Sequence, residues 1–310
     1  MPENIFYWVL NMSILGSIAG ILILCLGKIK RIPAFAIYAL WGVVLLRLLI
    51  PFGLENKYSL LNLLSGFAVK TVKLPPGNEF PQLSLTNFAR AVDSYFPIVY
   101  KTELLAKVFK AAAAVWFAIG AASVIAVVVV YLFAKAEIKT SIVIKDNLYI
   151  NDRIRTPMVY GVLHPKIILP AGLDLTTNTL EYILSHEKVH IRRKDNLFKG
   201  IAILTACIHW FNPLVWLFLK HFFNAMELAC DAKLLKNYSD TQKKEYALAL
   251  LDCAEKQSSL LFPAFGGTKI KRRIEDILSY KKLTVFSCIC FTALLVSVAV
   301  FLLTNAPSAI

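Results

Sequence analysis

Four long apolar runs constrain the fold more than any other feature of this chain. Residues 5–26, 111–133 and 283–303 contain no charged residue, and residues 32–54 contain only Arg47. Each run reaches the roughly 20 residues that a helix needs to cross a bilayer. The first run lacks a preceding basic region, which favours a retained span over a cleaved secretory signal. The sequence therefore predicts four transmembrane helices.

The distribution of basic residues predicts the topology of these helices. Of the 34 Lys and Arg residues, 23 lie in residues 135–282 and three in residues 28–31. Because loops rich in basic residues remain cytoplasmic, residues 28–31 and 135–282 are expected to lie inside. Residues 1–134 are then expected to hold three spans, with an outer loop at about 55–107. Residues 135–282 form a cytoplasmic domain, and residues 283–310 a fourth span with a short outer tail. The net charge of +14 suits anionic lipid headgroups and requires no direct contact with nucleic acid.

A five-residue motif within the predicted cytoplasmic domain indicates metal chemistry. It runs His186-Glu187-Lys188-Val189-His190. Residues four apart share a helix face, so His186 and His190 can direct two imidazole nitrogens at one ion. Glu187 is placed to exchange a proton with a water molecule in the site. This is the H-E-x-x-H pattern of zinc peptidases, with Glu187 as the catalytic base.

A second motif about forty residues later supplies the rest of the predicted site. Glu227 is the expected third metal ligand, and Asp231, one turn on, is expected to accept a hydrogen bond from the free ring nitrogen of His186 or His190. Two neutral imidazoles and one carboxylate suit a single catalytic Zn²⁺ with an open fourth position. Neither the motif nor its spacing requires the neighbouring Cys230.

The segments around these motifs predict a mixed helix and strand domain. Residues 138–169 show strand-like alternation, and the prolines in residues 156–170 favour an edge strand to which a peptide could add. Residues 197–223 are apolar, but Pro213 interrupts them, which predicts a helical hairpin packed on the protein or dipping into the membrane. His209 and His221 flank that break and are candidate transition-state stabilisers, although packing or capping roles are more common.

Five segments together resemble the BlaR/MecR-type membrane metallopeptidases, antirepressor-like signal transducers of β-lactam resistance. They are TPMVYG at 156–161 with PKIILP at 165–170, the motif at 186–190 with RRKD at 192–195, HWFNPLVW at 209–216 and ELACD at 227–231. The resemblance covers nearly the whole chain. It implies a mainly α membrane protein with a small β region, in which a gluzincin-like cytoplasmic α+β zinc protease domain lies between the third and fourth of four spans.

The resemblance also implies a function and partners. It predicts a zinc metalloendopeptidase in a bacterial-type plasma membrane that cleaves a cytoplasmic protein, for which a winged-helix repressor is a candidate, or cleaves itself. The family's resistance receptors carry a penicillin-binding domain after the last span, and with seven residues after Leu303 this sequence is expected to lack one. Two alternatives stay open: a housekeeping membrane protease of the HtpX/CAAX type, and a non-proteolytic transducer with structural zinc. A homodimer also stays open.

Overall fold

The computed structural model describes residues 2–29, 31–50, 56–60, 103–173, 178–255 and 263–304. Most of the predicted outer loop and the last six residues of the tail lie outside these ranges. The expectation of a mainly helical chain with a small β region is confirmed. The helices are α1 (Pro2–Leu26), α2 (Ala34–Leu49), α3 (Glu103–Ile138), α4 (Asn178–Arg193), α5 (Asp195–Ile208), α6 (Pro213–Leu235), α7 (Asp240–Glu255), α8 (Pro263–Leu278) and α9 (Val285–Leu303).

Three helices in the described part of the chain are long and apolar enough to cross a membrane. The qualifying segments are Ile5–Leu26 in α1, Lys107–Ile138 in α3 and Val285–Leu303 in α9. The second predicted span forms α2, which has 16 residues and is apolar but shorter. At about 1.5 Å per residue, α2 is about 24 Å long, less than the full hydrocarbon thickness.

The described residues divide into two compact units. The first comprises Met1–Val124, Leu204–Leu219 and Val285–Ile310. In it, α1 and α2 pack closely, and a Cβ at Gly16 would overlap the side chain of Leu48. The side chain of Asn212, in the turn before α6, donates to Ser13 Oγ (2.7 Å) and Ser17 Oγ (2.8 Å) of α1.

Two buried polar side chains bond the ends of helices in this first unit. His209 Nε2 donates to the carbonyl of Leu48 at 2.9 Å. Arg47 is 2% exposed and donates to the carbonyl of Leu303 at 3.4 Å. A helix leaves its last carbonyls without partners in its own backbone, so both contacts satisfy groups that are costly to leave unpaired away from water.

The second unit comprises Ile125–Ile203 and Lys220–Thr284 and contains a four-stranded sheet. Its strands are β1 (Ile142–Lys145), β2 (Leu148–Asn151), β3 (Met158–Tyr160) and β4 (Lys166–Pro170), in the order β1-β2-β4-β3. β1 is antiparallel to β2, β2 is parallel to β4, and β4 is antiparallel to β3. One core cluster includes Ile167 and Leu169 of β4 and Ile183 of α4, so the sheet supports the helix that carries the histidine motif.

The proline-rich segment that was expected to form a sheet edge does so only in part. β3 is an edge strand, but β4 lies inside the sheet between β2 and β3. The N–H of Ile167 donates to the carbonyl of Asn147, on the β2 side of β4. Met158 and Tyr160 are therefore the residues of β3 whose backbone N–H and C=O groups point towards β4. Val159 therefore directs its polar backbone groups outward, where its carbonyl accepts a hydrogen bond from Asn196 Nδ2 at 2.8 Å.

Candidate metal centre

Helix α4 brings the two histidines of the motif together. His186 and His190 are each 6% exposed and lie one turn apart. Their Nε2 atoms are 3.0 Å apart, and the rings meet almost edge-on at 80°. Two neutral ring nitrogens at this distance would direct lone pairs at each other, an arrangement that a cation between them stabilises.

Helix α6 adds a carboxylate oxygen to this pair of nitrogens. Glu227 Oε2 lies 3.4 Å from His186 Nε2 and 3.6 Å from His190 Nε2. Ligands about 2.0–2.1 Å from a tetrahedral zinc ion are about 3.3 Å from one another, so the three atoms have the spacing of a zinc site. The side chain of Glu227 is 30% exposed, which leaves this side of the centre accessible to solvent.

Hydrogen bonds to the other ring nitrogens orient both histidines. His190 Nδ1 donates to Asp195 Oδ2 at 2.6 Å, and His186 Nδ1 donates to the hydroxyl of Tyr246 at 2.8 Å. With the proton on Nδ1, each Nε2 retains the lone pair that a metal ion needs. The second contacts of both histidines therefore fit a metal site.

A buried ion pair supports the hydroxyl of Tyr246. Tyr246 donates to Asp231 Oδ1 at 2.5 Å, and Arg273 binds the same carboxylate with two hydrogen bonds of 2.8 Å. Burial alone would raise the pKa of Asp231, but Arg273 and His186 outweigh it and lower the pKa to about 2. Asp231 therefore stays ionised and keeps the hydroxyl of Tyr246 pointed away from His186.

Glu187 follows His186 directly and is 7% exposed. Burial raises the pKa of its carboxyl group, and the adjacent His186 and His190 partly oppose that rise. A buried carboxyl group beside two candidate metal ligands can exchange protons with a molecule held there.

Two cationic side chains lie near the carboxylate of Glu227. Lys199 Nζ is 3.7 Å from Glu227 Oε1, and Arg273 Nη1 is 3.8 Å from Glu227 Oε2. Burial would raise the pKa of Glu227, but its contacts with His186 and His190 hold that pKa well below its usual range. The carboxylate is therefore ionised, as a zinc ligand must be.

Cys230 offers a different donor close to the same histidines. Ligand atoms of His186, His190 and Cys230 all lie within 4.8 Å of one another. The sulfur approaches His186 Nδ1 at 3.7 Å, however, and that nitrogen already bonds Tyr246. Glu227 Oε2 instead faces both Nε2 atoms, the ring nitrogens that do not bond Tyr246 or Asp195, so its oxygen can complete the donor set.

The structure brings most of the predicted site residues into one cluster. His186, Glu187, His190, Glu227 and Asp231 all belong to the second unit. Asp231 Oδ1 is 3.3 Å from His186 Nδ1, with the Tyr246 hydroxyl bonded to both atoms.

The two further candidates lie in different units. His209 belongs to the first unit, where it bonds Leu48, and we assign it to packing there. His221 lies on α6 six residues before Glu227, and its role stays a prediction.

Sequence reasoning assigned no role to three residues that bond the site. Asp195 had a local signal, because it comes five residues after His190 and opens α5. Tyr246 and Arg273 had none, since they lie 60 residues after His186 and 42 residues after Asp231. Only the packing of α7 and α8 brings them to the histidines.

Comparison with known proteins gives one family and several relatives. The family model described as BlaR1 peptidase M56 matches residues 7–277. The chain is 32% identical over 135 residues to the regulatory protein BlaR1 of Bacillus licheniformis, covering 41% of this chain and 22% of that protein. It is 30% identical over 106 residues to the methicillin resistance mecR1 protein of Staphylococcus epidermidis, covering 34% and 18%. These matches therefore span only about a fifth of the relatives' length.

Proposed function

Because the chain belongs to the BlaR1 peptidase M56 family, a family of metallopeptidases, we propose that it is a membrane-bound, zinc-dependent endopeptidase. The observation that carries the proposal is the triangle of His186 Nε2, His190 Nε2 and Glu227 Oε2, with separations of 3.0, 3.4 and 3.6 Å. The buried carboxyl group of Glu187 next to it supplies the base that hydrolysis needs. Sequence and geometry thus support the same ligand set.

Some residues of the site would hold the metal ion or orient its ligands, and Glu187 would transfer protons. A bound zinc ion would supply Lewis acidity to a water molecule and to the scissile carbonyl. Glu187 accepts the proton of the attacking water and returns it to the leaving amine. Asp195 fixes the ring of His190, and Tyr246 with Asp231 fixes the ring of His186. Arg273 keeps Asp231 ionised throughout.

We place this domain on the cytoplasmic side of a four-span protein. The long apolar helices α1, α3 and α9 support three crossings, and the apolar helix α2 is proposed as the fourth. The 23 Lys and Arg residues in residues 135–282 support the cytoplasmic position of the domain. The proposed substrate is a cytoplasmic protein, either a winged-helix repressor or a second segment of this chain, cleaved during signal transduction.

A substrate strand would compete with Asn196 for the edge of the sheet. Asn196 Nδ2 donates to the carbonyls of Val159 (2.8 Å) and Gly161 (3.1 Å), which are the outward acceptors at the end of β3. Addition of a peptide at this edge therefore requires that the amide of Asn196 leave both carbonyls.

The test compares the full chain with Glu187→Gln, both reconstituted in proteoliposomes with zinc. The probe is a proteome-derived peptide library, and mass spectrometry counts new N-termini. Wild type should produce new termini and bind one zinc ion, whereas Glu187→Gln should bind zinc equally and produce none. Equal cleavage by the variant would refute the role of Glu187, and no cleavage by zinc-loaded wild type would refute the peptidase function.

Cys230 favours one alternative, a non-proteolytic transducer with structural zinc. A thiolate ligand together with Glu227 would fill the fourth position and exclude water. X-ray absorption at the zinc edge distinguishes the two arrangements, because a sulfur ligand lies about 2.3 Å from zinc and nitrogen or oxygen about 2.0–2.1 Å. The peptidase proposal predicts that no sulfur binds the zinc ion and that Cys230→Ala gives an identical spectrum.

A further inference from the structure

The turn between β3 and β4 presents two apolar side chains outward. Val162 is 46% exposed and Leu163 is 87% exposed. The turn is tightly built: Gly161 has a φ of +93°, and a Cβ there would lie 2.9 Å from the carbonyl oxygen of His164. The backbone conformation at position 161 therefore favours glycine, and it fixes the backbone from which Val162 and Leu163 project.

The two ends of the sheet contact α3 at different positions along the helix axis. At one end, Asn151 Nδ2 donates to the carbonyl of Glu137 at 3.0 Å. At the other end, the ring of Tyr160 stacks on Tyr131 with a centroid distance of 5.6 Å and an angle of 15°. Tyr131 precedes Glu137 by six residues, which is about 9 Å along a helix. The sheet thus lies along α3, and the end that carries the turn points towards the apolar stretch of that helix.

The part of α3 beside this turn has the surface of a membrane-facing helix. Val128, Val130 and Phe133 are 48%, 67% and 70% exposed, and residues 111–133 contain no charge. The first charged residue after this stretch is Lys135. Tyrosine is enriched at the boundary between headgroups and acyl chains, so the stacked Tyr131 and Tyr160 mark that depth. Val162 and Leu163 follow Tyr160 by two and three residues and add exposed apolar side chains at this end of the sheet.

Polar residues around the turn suit a headgroup region. Asn147 Nδ2 donates to the carbonyl of Pro165 at 3.5 Å, which brings the β1–β2 turn to the same end of the sheet. Lys145 and Lys166 flank the two turns and can contact lipid phosphates, whereas Asp146 is the acidic group among them.

We propose that residues 161–165 form a membrane-seated turn, in which Val162 and Leu163 insert among lipids at the cytoplasmic boundary beside α3. The partner is the bilayer itself. The proposal requires that α3 crosses the membrane and is independent of peptidase chemistry. Since the sheet packs on α4, a seated turn would hold the histidine helix at a fixed height above the lipid.

Photo-crosslinking of the full chain in nanodiscs tests this seating. The crosslinking residue p-benzoylphenylalanine replaces Leu163, and the matched control replaces Leu248, which is 65% exposed on α7 between the exposed Lys244 and Asp252. The nanodiscs contain phosphatidylcholine and phosphatidylglycerol, and mass spectrometry measures lipid adducts on the labelled peptide. Position 163 should give at least about tenfold more lipid adduct than position 248.

Two results would overturn the proposal. One is a lipid yield at position 163 no higher than at position 248. The other is crosslinking of position 163 mainly to a second copy of the chain, which would make the turn a protein interface. As a second measurement, Leu163→Asp should speed amide hydrogen exchange in residues 158–170 in nanodiscs, whereas Leu248→Asp should not. Unchanged exchange in Leu163→Asp would also contradict seating.

Discussion

Replacing Tyr246 with phenylalanine tests how the site orients its histidines. The change removes the hydroxyl that accepts from His186 Nδ1 at 2.8 Å and donates to Asp231 Oδ1 at 2.5 Å. The ring remains, and it packs in the cluster with Leu235 and Ile277, so the fold should be retained. The variant therefore isolates the hydrogen bonds from the packing.

The expected loss follows from what remains around His186. Asp231 keeps both hydrogen bonds to Arg273, and its Oδ1 is already 3.3 Å from His186 Nδ1, so it can accept the proton directly after a small shift. One hydrogen bond to a charged group is then lost in net terms, about 1.5 kcal/mol, which is the lower end for such bonds. That corresponds to about tenfold weaker zinc binding, the lower end of the range for residues that orient metal ligands.

Competition with a chelator of known affinity measures this effect on the full chain in nanodiscs. Tyr182→Phe is the matched control, because its hydroxyl bonds Glu245 at 2.6 Å rather than a histidine. The control should bind zinc as wild type does. Zinc affinity of Tyr246→Phe within about twofold of wild type would refute the orienting role of the hydroxyl.

Two further predictions concern the carboxylates. Glu227→Ala should lower zinc content, measured by plasma emission, from about one ion per chain, whereas Glu245→Ala should not; unchanged content would remove Glu227 from the ligand set. The pKa of Asp231 is about 2 in the folded chain and about 3.9 when unfolded, so its ionised form stabilises the fold above pH 4, and this contribution is lost as the pH falls through about 2. Arg273→Met should therefore lower the Tm of the metal-free chain at pH 6, and lower it by less at pH 3. Arg272→Met removes an exposed ion pair and should leave the Tm unchanged at both pH values. A fall in the Tm of Arg273→Met that is the same at both pH values would contradict this reasoning.

Local spacing was enough to predict that the two histidines of the motif lie side by side. His186 and His190 are four residues apart, and a helix places such residues on one face whatever the rest of the chain does. Pro213 likewise begins α6, because its missing N–H is tolerated only in the first turn. Such features depend on a few neighbouring residues.

Other features depend on packing that no local pattern encodes. Tyr246 and Arg273 reach the site from α7 and α8 after long separations in sequence. The prolines near β4 suggested an edge strand, yet Pro165 precedes the strand and Pro170 ends it. Neither position removes a donor from the middle of the ladder, so β4 can lie inside the sheet.

One short connection links the histidine helix α4 to the edge of the sheet. Lys194, with a φ of 57°, ends α4 and turns the chain into α5. The side chains of the next two residues bond different elements: Asp195 bonds His190 of α4, and Asn196 bonds the outward carbonyls of Val159 and Gly161 at the sheet edge. A strand that displaces Asn196 from β3 therefore acts on the residue adjacent to the one that orients His190. Asp195 and Asn196 are joined by one peptide bond, so a strand at this edge and the ring of His190 would contact adjacent residues of the chain.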